Sequence, residues 1–133
     1  MLEGQAVRLA CTRRTADNIR EINAILEETN KRLSKKQSIE REDEAFHLAI
    51  FAATKNDILL RVARSFYELS RHRRKVYFAD QNRGRQSYED HCTILEAIEE
   101  RRVGLAGRQL NAPLSRTVEA WQSLLGETKV TKR

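Results

Sequence analysis

The chain of 133 residues is long enough to bury a core without disulfide or metal staples, and Cys11 and Cys92 form no spaced framework, which points to reduced thiols in a cytoplasmic protein. One Pro, five Gly and no alternating Val/Ile/Thr runs argue for an all-α fold, while the lack of any apolar run near ~20 residues excludes a membrane span. The formal net charge of +6, densest in Arg71-His72-Arg73-Arg74-Lys75, is mixed with acids and carries no aromatic residues at stacking spacing, so it reads as a solvated face rather than a nucleic-acid surface.

Leu2, Ala6, Leu9 and Ala10 have helical spacing, and Arg13-Arg14 suits the C-terminus of a first helix. Thr15 is the expected N-cap of a second, whose apolar stripe is Ile19, Ile22, Ile25, Leu26 and Leu33. Lys35 to Ser38 is a polar break. Ser38 then caps a third helix with Glu40, Glu42, Asp43 and Glu44 at its positive end, running to about Thr54. A fourth helix, capped by Asn56 or Asp57, carries Leu59, Val62, Phe66, Leu69, Arg73 and Val76 as an interhelical seam and reaches about Phe78. Residues 79 to 86 lack a stripe and contain Asp80, Asn82 and Gly84, so a loop is expected. Ser87 caps a fifth helix with His91, Ile94, Leu95 and Ile98 on one face. A sixth runs from Val103 to before Gly126, interrupted by Pro113, and residues 127–133 form a frayed tail. The expectation is one antiparallel bundle of about six helices over residues 1–126.

Asp43 and His47 lie four residues apart, one turn along a single helix face. A carboxylate and an imidazole so placed can hold one divalent cation, or they can form a buried ion pair with His91 as a core histidine. Spacing alone leaves both open. Glu44-x-x-His47 also has di-iron spacing, but no second such motif accompanies it because Tyr88 stands three residues before His91. Arg73, the charge that interrupts the seam, is expected to point inward and bind an anion.

Three motifs in order carry a resemblance. They are Leu2-Glu3-Gly4-x-Ala6-Val7-Arg8-Leu9-Ala10, then Asp43-x-x-Phe46-His47-x-x-Ile50-x-x-Ala53-x-x-Asn56-x-x-Leu59, then Glu89-Asp90-His91-x-x-Ile94-Leu95-x-Ala97-Ile98. Together they resemble the ligand-sensing C-terminal (FCD) domain of FadR-type GntR transcription regulators. The resemblance implies a metal site in which Asp43, His47 and His91 match three ligands and Pro113 stands where the family has a fourth, a histidine. Zn²⁺, Ni²⁺ or Mn²⁺ would suit such a set, with open positions for an effector carboxylate or water.

The implied function is effector sensing in a homodimeric regulator, with a small organic acid as ligand. DNA would be bound only through a winged-helix domain ahead of the bundle, which nothing in these residues resembles. Arg8, matching a family arginine, Arg73, and Asn111 near the missing ligand are the candidate effector contacts. The alternatives are a metal-free carboxylate-binding or purely dimerising bundle, or a small metal-dependent hydrolase using Glu44 or Glu89 as base. The expected reading is not an enzyme.

Overall fold

The computed structural model describes residues 2–101, and every element among them is an α-helix. In chain order these are α1 (Leu2–Arg13), α2 (Ala16–Ser34), α3 (Glu40–Ala53), α4 (Asp57–Leu69), α5 (Arg71–Tyr77) and α6 (Gln81–Glu99). The expected last helix, with Asn111 and Pro113, and the expected tail lie outside the described residues. The all-α helical-bundle fold class holds.

Local chemistry sets the boundaries. Thr15 opens α2 with a capping box: its hydroxyl accepts from the Asn18 amide at 3.2 Å, and the Asn18 side chain accepts from the Thr15 amide at 2.8 Å. At the other end Gln37 N–H reaches Arg32 O at 2.8 Å and Lys36 N–H reaches Leu33 O at 3.0 Å, with Lys36 left-handed at φ 57°. That is the Schellman closure with lysine where glycine is usual. Asn56 caps α4, its side-chain oxygen accepting from the amides of Ile58 and Leu59 at 3.0 and 3.2 Å.

Three expected boundaries are corrected. The cap residue of α3 is Ile39, with the Ser38 hydroxyl accepting from the Glu40 amide at 3.3 Å. The expected fourth helix is two, α4 and α5, broken at Ser70. The expected loop over residues 79–86 is instead the first turns of α6, because Asp80 accepts from the Asn82 and Arg83 amides at 2.8 and 3.4 Å and starts the helix there. Gly84 sits inside it because α6 passes close to the α2–α3 connection: a Cβ there would stand 3.2 Å from Leu33 Cδ2 and 3.4 Å from Ile39 Cγ1.

α1 and α2 each pack against both α3 and α6, so the four together enclose the core. Ala6, Val7, Ala10 and Cys11 of α1 meet Ile22 and Leu26 of α2, Phe46, Ile50 and Phe51 of α3, and Ile94 and Ile98 of α6. Each large side chain buried there contributes roughly 1.5–3 kcal/mol of transfer free energy. The small residues of α1 let it approach closely. No helix among the described residues is long and apolar enough to cross a membrane.

The α2 cap offers a direct check. Thr15→Ala removes the acceptor for the Asn18 amide and should lower unfolding free energy by about 1 kcal/mol in urea titration, with Thr15→Ser retaining most of it.

Candidate metal centre

α3 begins with Glu40, Glu42 and Asp43 in its first turn, where the amide dipoles favour negative charge. One turn on from Asp43, His47 faces the same side. Asp43 Oδ1 stands 3.3 Å from His47 Nε2 and 3.6 Å from Nε2 of His91, which arrives from α6. The three residues are only 6, 3 and 3 % exposed, so the cluster is closed off from solvent. Phe46 stacks on His91 with ring centres 3.8 Å apart and planes at 10°, and Tyr67 of α4 lies alongside His47 at 5.7 Å and 17°. The two imidazoles meet edge to face at 4.9 Å. Aromatic packing thus fixes the orientation of both rings.

One ligand atom from each of Asp43, His47 and His91 lies within 4.8 Å of the other two. Bonds of ~2.0–2.1 Å to a four-coordinate cation put neighbouring donors roughly 3.3 Å apart. The two oxygen–nitrogen separations are of that size without rearrangement. Two imidazoles and a carboxylate form a donor set suited to Zn²⁺, Ni²⁺ or Mn²⁺. The residues fit the group.

The protonation states of Asp43 and His91 fit as well. Burial pushes the Asp43 carboxyl up, but His47 (by charge and hydrogen bond), then His91 and Arg74, outweigh it and hold the carboxyl below its ordinary value. Burial and then the neighbouring His47 push His91 down to about 3, against the pull of Asp43. At neutral pH the site therefore presents a carboxylate and a neutral His91 imidazole, the forms that coordinate metal.

Beside the cluster lies a buried cation. Arg74, 1 % exposed, gives Nη2 to Glu44 Oε1 at 2.9 Å and to Tyr67 O at 2.7 Å, Nη1 to Glu40 Oε2 at 3.3 Å and Nε to the Ser70 hydroxyl at 3.2 Å. Its carbon Cζ stands 4.8 Å over the Tyr67 ring. Arg71 adds a second contact to Glu44 at 3.2 Å. Glu44 is therefore bound by two guanidinium groups, and Glu89 is exposed, so neither has the setting of a general base beside the cluster.

The FCD domain family model matches residues 1–116. The chain belongs to the FCD family. Members of this family are effector-binding domains of GntR-type regulators. No curated protein matches the chain.

Of the residues expected from the sequence, Asp43, His47 and His91 converge as this FCD domain's candidate metal centre. The expectation that Arg73 points inward is corrected. Arg73 is exposed, and the inward arginine is Arg74, one position on. Arg8 is exposed on α1, and Asn111 and Pro113 lie outside the described residues. Arg74, Tyr67 and Phe46 were missed as neighbours of the site. In the fold Ala63, Tyr67 and Arg74 are all buried, at spacings of four and seven residues that run across the break at Ser70. A separate half-open cleft of about 300 Å³ lies between α2 and α6, lined by Asn23, Glu27, Cys92, Glu96 and others. Its carboxylates disfavour an organic acid there.

Two outcomes follow for the metal-free protein. His91 binds a proton more readily unfolded than folded, so its share of the stability is complete above about pH 6.5 and falls away as the pH drops towards 3. Asp43, also lowered on folding, adds a loss of the same sign below pH 3.8. Denaturant midpoints of the wild type should decline from pH 6.5 downward, and those of His91→Gln more shallowly between pH 6.5 and 4. Arg74→Ala leaves Glu40 without its cation and Glu44 with Arg71 alone, and should cost about 3–5 kcal/mol in the same assay.

Proposed function

We propose that this FCD domain senses a small organic acid at a divalent metal ion held by Asp43, His47 and His91. The observation that carries this reading is the convergence of three buried donor side chains on one point between α3 and α6, with the Asp43 carboxyl held low and His91 held neutral. Zn²⁺, Ni²⁺ or Mn²⁺ is the cofactor class, and three protein donors leave positions for an effector carboxylate and water.

The acid adds its charge directly to the cation, and its binding energy biases the packing of α3 against α6. The role is regulatory rather than catalytic. The domain works as a homodimer inside the cell, and DNA is contacted through a separate domain. Of the side chains expected to meet the acid, Asn111 is retained in this proposal, whereas the exposed Arg8 and Arg73 would be reached only at the surface.

Metal analysis of purified protein tests the reading. Stoichiometric metal in the wild type, lost in His47→Ala and in His91→Ala, is the expected outcome. Metal-free wild type whose melting temperature does not respond to added Zn²⁺, Ni²⁺ or Mn²⁺ overturns it. In metal-loaded protein, a screen of small carboxylates should raise the melting temperature. A ligand at a hundredfold its Kd adds about 2.7 kcal/mol, and the His47→Ala variant should show none of that response.

A further inference from the structure

The three candidate ligands come from α3 and α6, yet α4 supplies the wall against which one of them lies. The buried Tyr67 of α4 runs nearly parallel to the His47 ring, with centres 5.7 Å apart and planes at 17°. Phe46 meets the same imidazole edge to face, at 5.3 Å and 84°. His47 thus has one aromatic neighbour along its face and another at right angles, which leaves the ring little freedom to swing. The lone pair of an imidazole nitrogen lies in the ring plane. A wall along the face therefore sets the direction in which His47 can hold an ion.

Tyr67 is itself held by Arg74. Nη2 donates to the Tyr67 carbonyl at 2.7 Å, and Cζ stands 4.8 Å over the Tyr67 ring centre, so one side chain fixes both the backbone and the ring. The same guanidinium reaches α3, where Nη1 donates to Glu40 O and Oε2, each at 3.3 Å, and Nη2 to Glu44 Oε1 at 2.9 Å. Glu40 and Glu44 flank Asp43, three residues before it and one after. Arg74 therefore ties the wall beside His47 to the turn of α3 that carries Asp43. Neutralising Glu44 does not require that span, since Arg71 already stands 3.2 Å from its carboxylate. The span uses the planar fork of arginine, which a lysine ammonium lacks.

We propose that Tyr67 and Arg74 are positioning residues of the metal centre: Arg74 clamps Tyr67 to the first turns of α3, and the Tyr67 ring holds the His47 imidazole in its coordinating orientation. The inference rests on the metal-holding part of the reading above and adds two residues that set how tightly the ion is held.

Zn²⁺ affinity, measured by competition with a chromophoric chelator on variants shown to be folded by circular dichroism, tests it. Tyr67→Leu removes the aromatic wall and should weaken Zn²⁺ binding by about tenfold or more, the scale on which residues supporting metal ligands act. Tyr67→Phe keeps the ring and should stay within about twofold of the wild type. Arg74→Lys keeps the charge without the fork and should lose most of what Tyr67→Leu loses. The double variant should lose little more than Tyr67→Leu alone, because Arg74 acts through Tyr67. With Co²⁺ as the probe, the ligand-field spectrum of Tyr67→Leu should differ from that of the wild type, a change in ligand geometry that lowered stability alone does not produce.

Ile22→Ala, a cavity variant on α2, should lower stability and leave Zn²⁺ affinity unchanged. Wild-type affinity and an unchanged Co²⁺ spectrum in Tyr67→Leu overturn the inference. So does a loss in Tyr67→Phe equal to that in Tyr67→Leu, or an equal loss in Ile22→Ala. Where Tyr67→Leu does not fold, Arg74→Lys decides, and wild-type affinity in that variant overturns the role of Arg74. A wild type that binds no Zn²⁺ overturns the sensing site and this inference with it, whereas a wild type that binds beside unaffected variants overturns this inference alone.

Discussion

Four carboxylates within five residues of α3 are withdrawn from most of their water, and with Glu42 met by Arg32 at 3.3 Å, those of Glu40, Asp43 and Glu44 remain. Left alone, each would carry a desolvation cost of several kcal/mol and would repel the other two. The described fold resolves this from two directions. Arg74 takes Glu40 and Glu44, and the two imidazoles take Asp43. The first solution requires α5 to lie against the start of α3. The second requires α6 to bring His91 within reach of it. The helix with the most buried charge therefore fixes the positions of its neighbours.

The break between α4 and α5 belongs to the same constraint. A continuous helix would use the Tyr67 carbonyl for its own ladder, whereas here that carbonyl accepts the Arg74 guanidinium at 2.7 Å and the Ser70 hydroxyl accepts from Arg74 Nε. Helix ends leave carbonyls without intrahelical partners, and a buried arginine with five donors needs acceptors. Each deficit meets the other. Arg74 thus closes α4 and neutralises α3 with one side chain, and Tyr67, held beneath it, packs along His47.

How much of this was legible follows from which signals are local. The Asp43/His47 spacing lies within one helical turn, and His91 sits in a second motif, so the candidate ligands could be named before any fold was known. The caps at Thr15 and Asn56 are equally local. A strict three-and-four count from Leu59 straight through Ser70 falls on Arg73 and passes over Arg74, because the tertiary demand that breaks the helix there has no local signature. The seam so counted mixed two faces: Leu59 and Phe66 are half-buried, while Val62, Leu69 and Val76 are exposed. Gly84 read as a loop residue for a related reason. Its job is to admit Leu33 and Ile39, a contact about 45 residues away in sequence.

α4 consequently has two working faces. Inward, Tyr67 touches the His47 ring. Outward, Leu69, two residues on, stands in solvent at the end of an exposed apolar stripe with Ile58 and Val62. A rigid helix cannot shift one face without carrying the other, so a displacement of His47 that moves Tyr67 also re-aims the outward stripe. The Arg74 network ties that helix to α3 at its far end. Coupling between two sites requires an element with two arrangements that both sites bias, and α4 reaches the His47 ring through Tyr67 while its other side faces solvent.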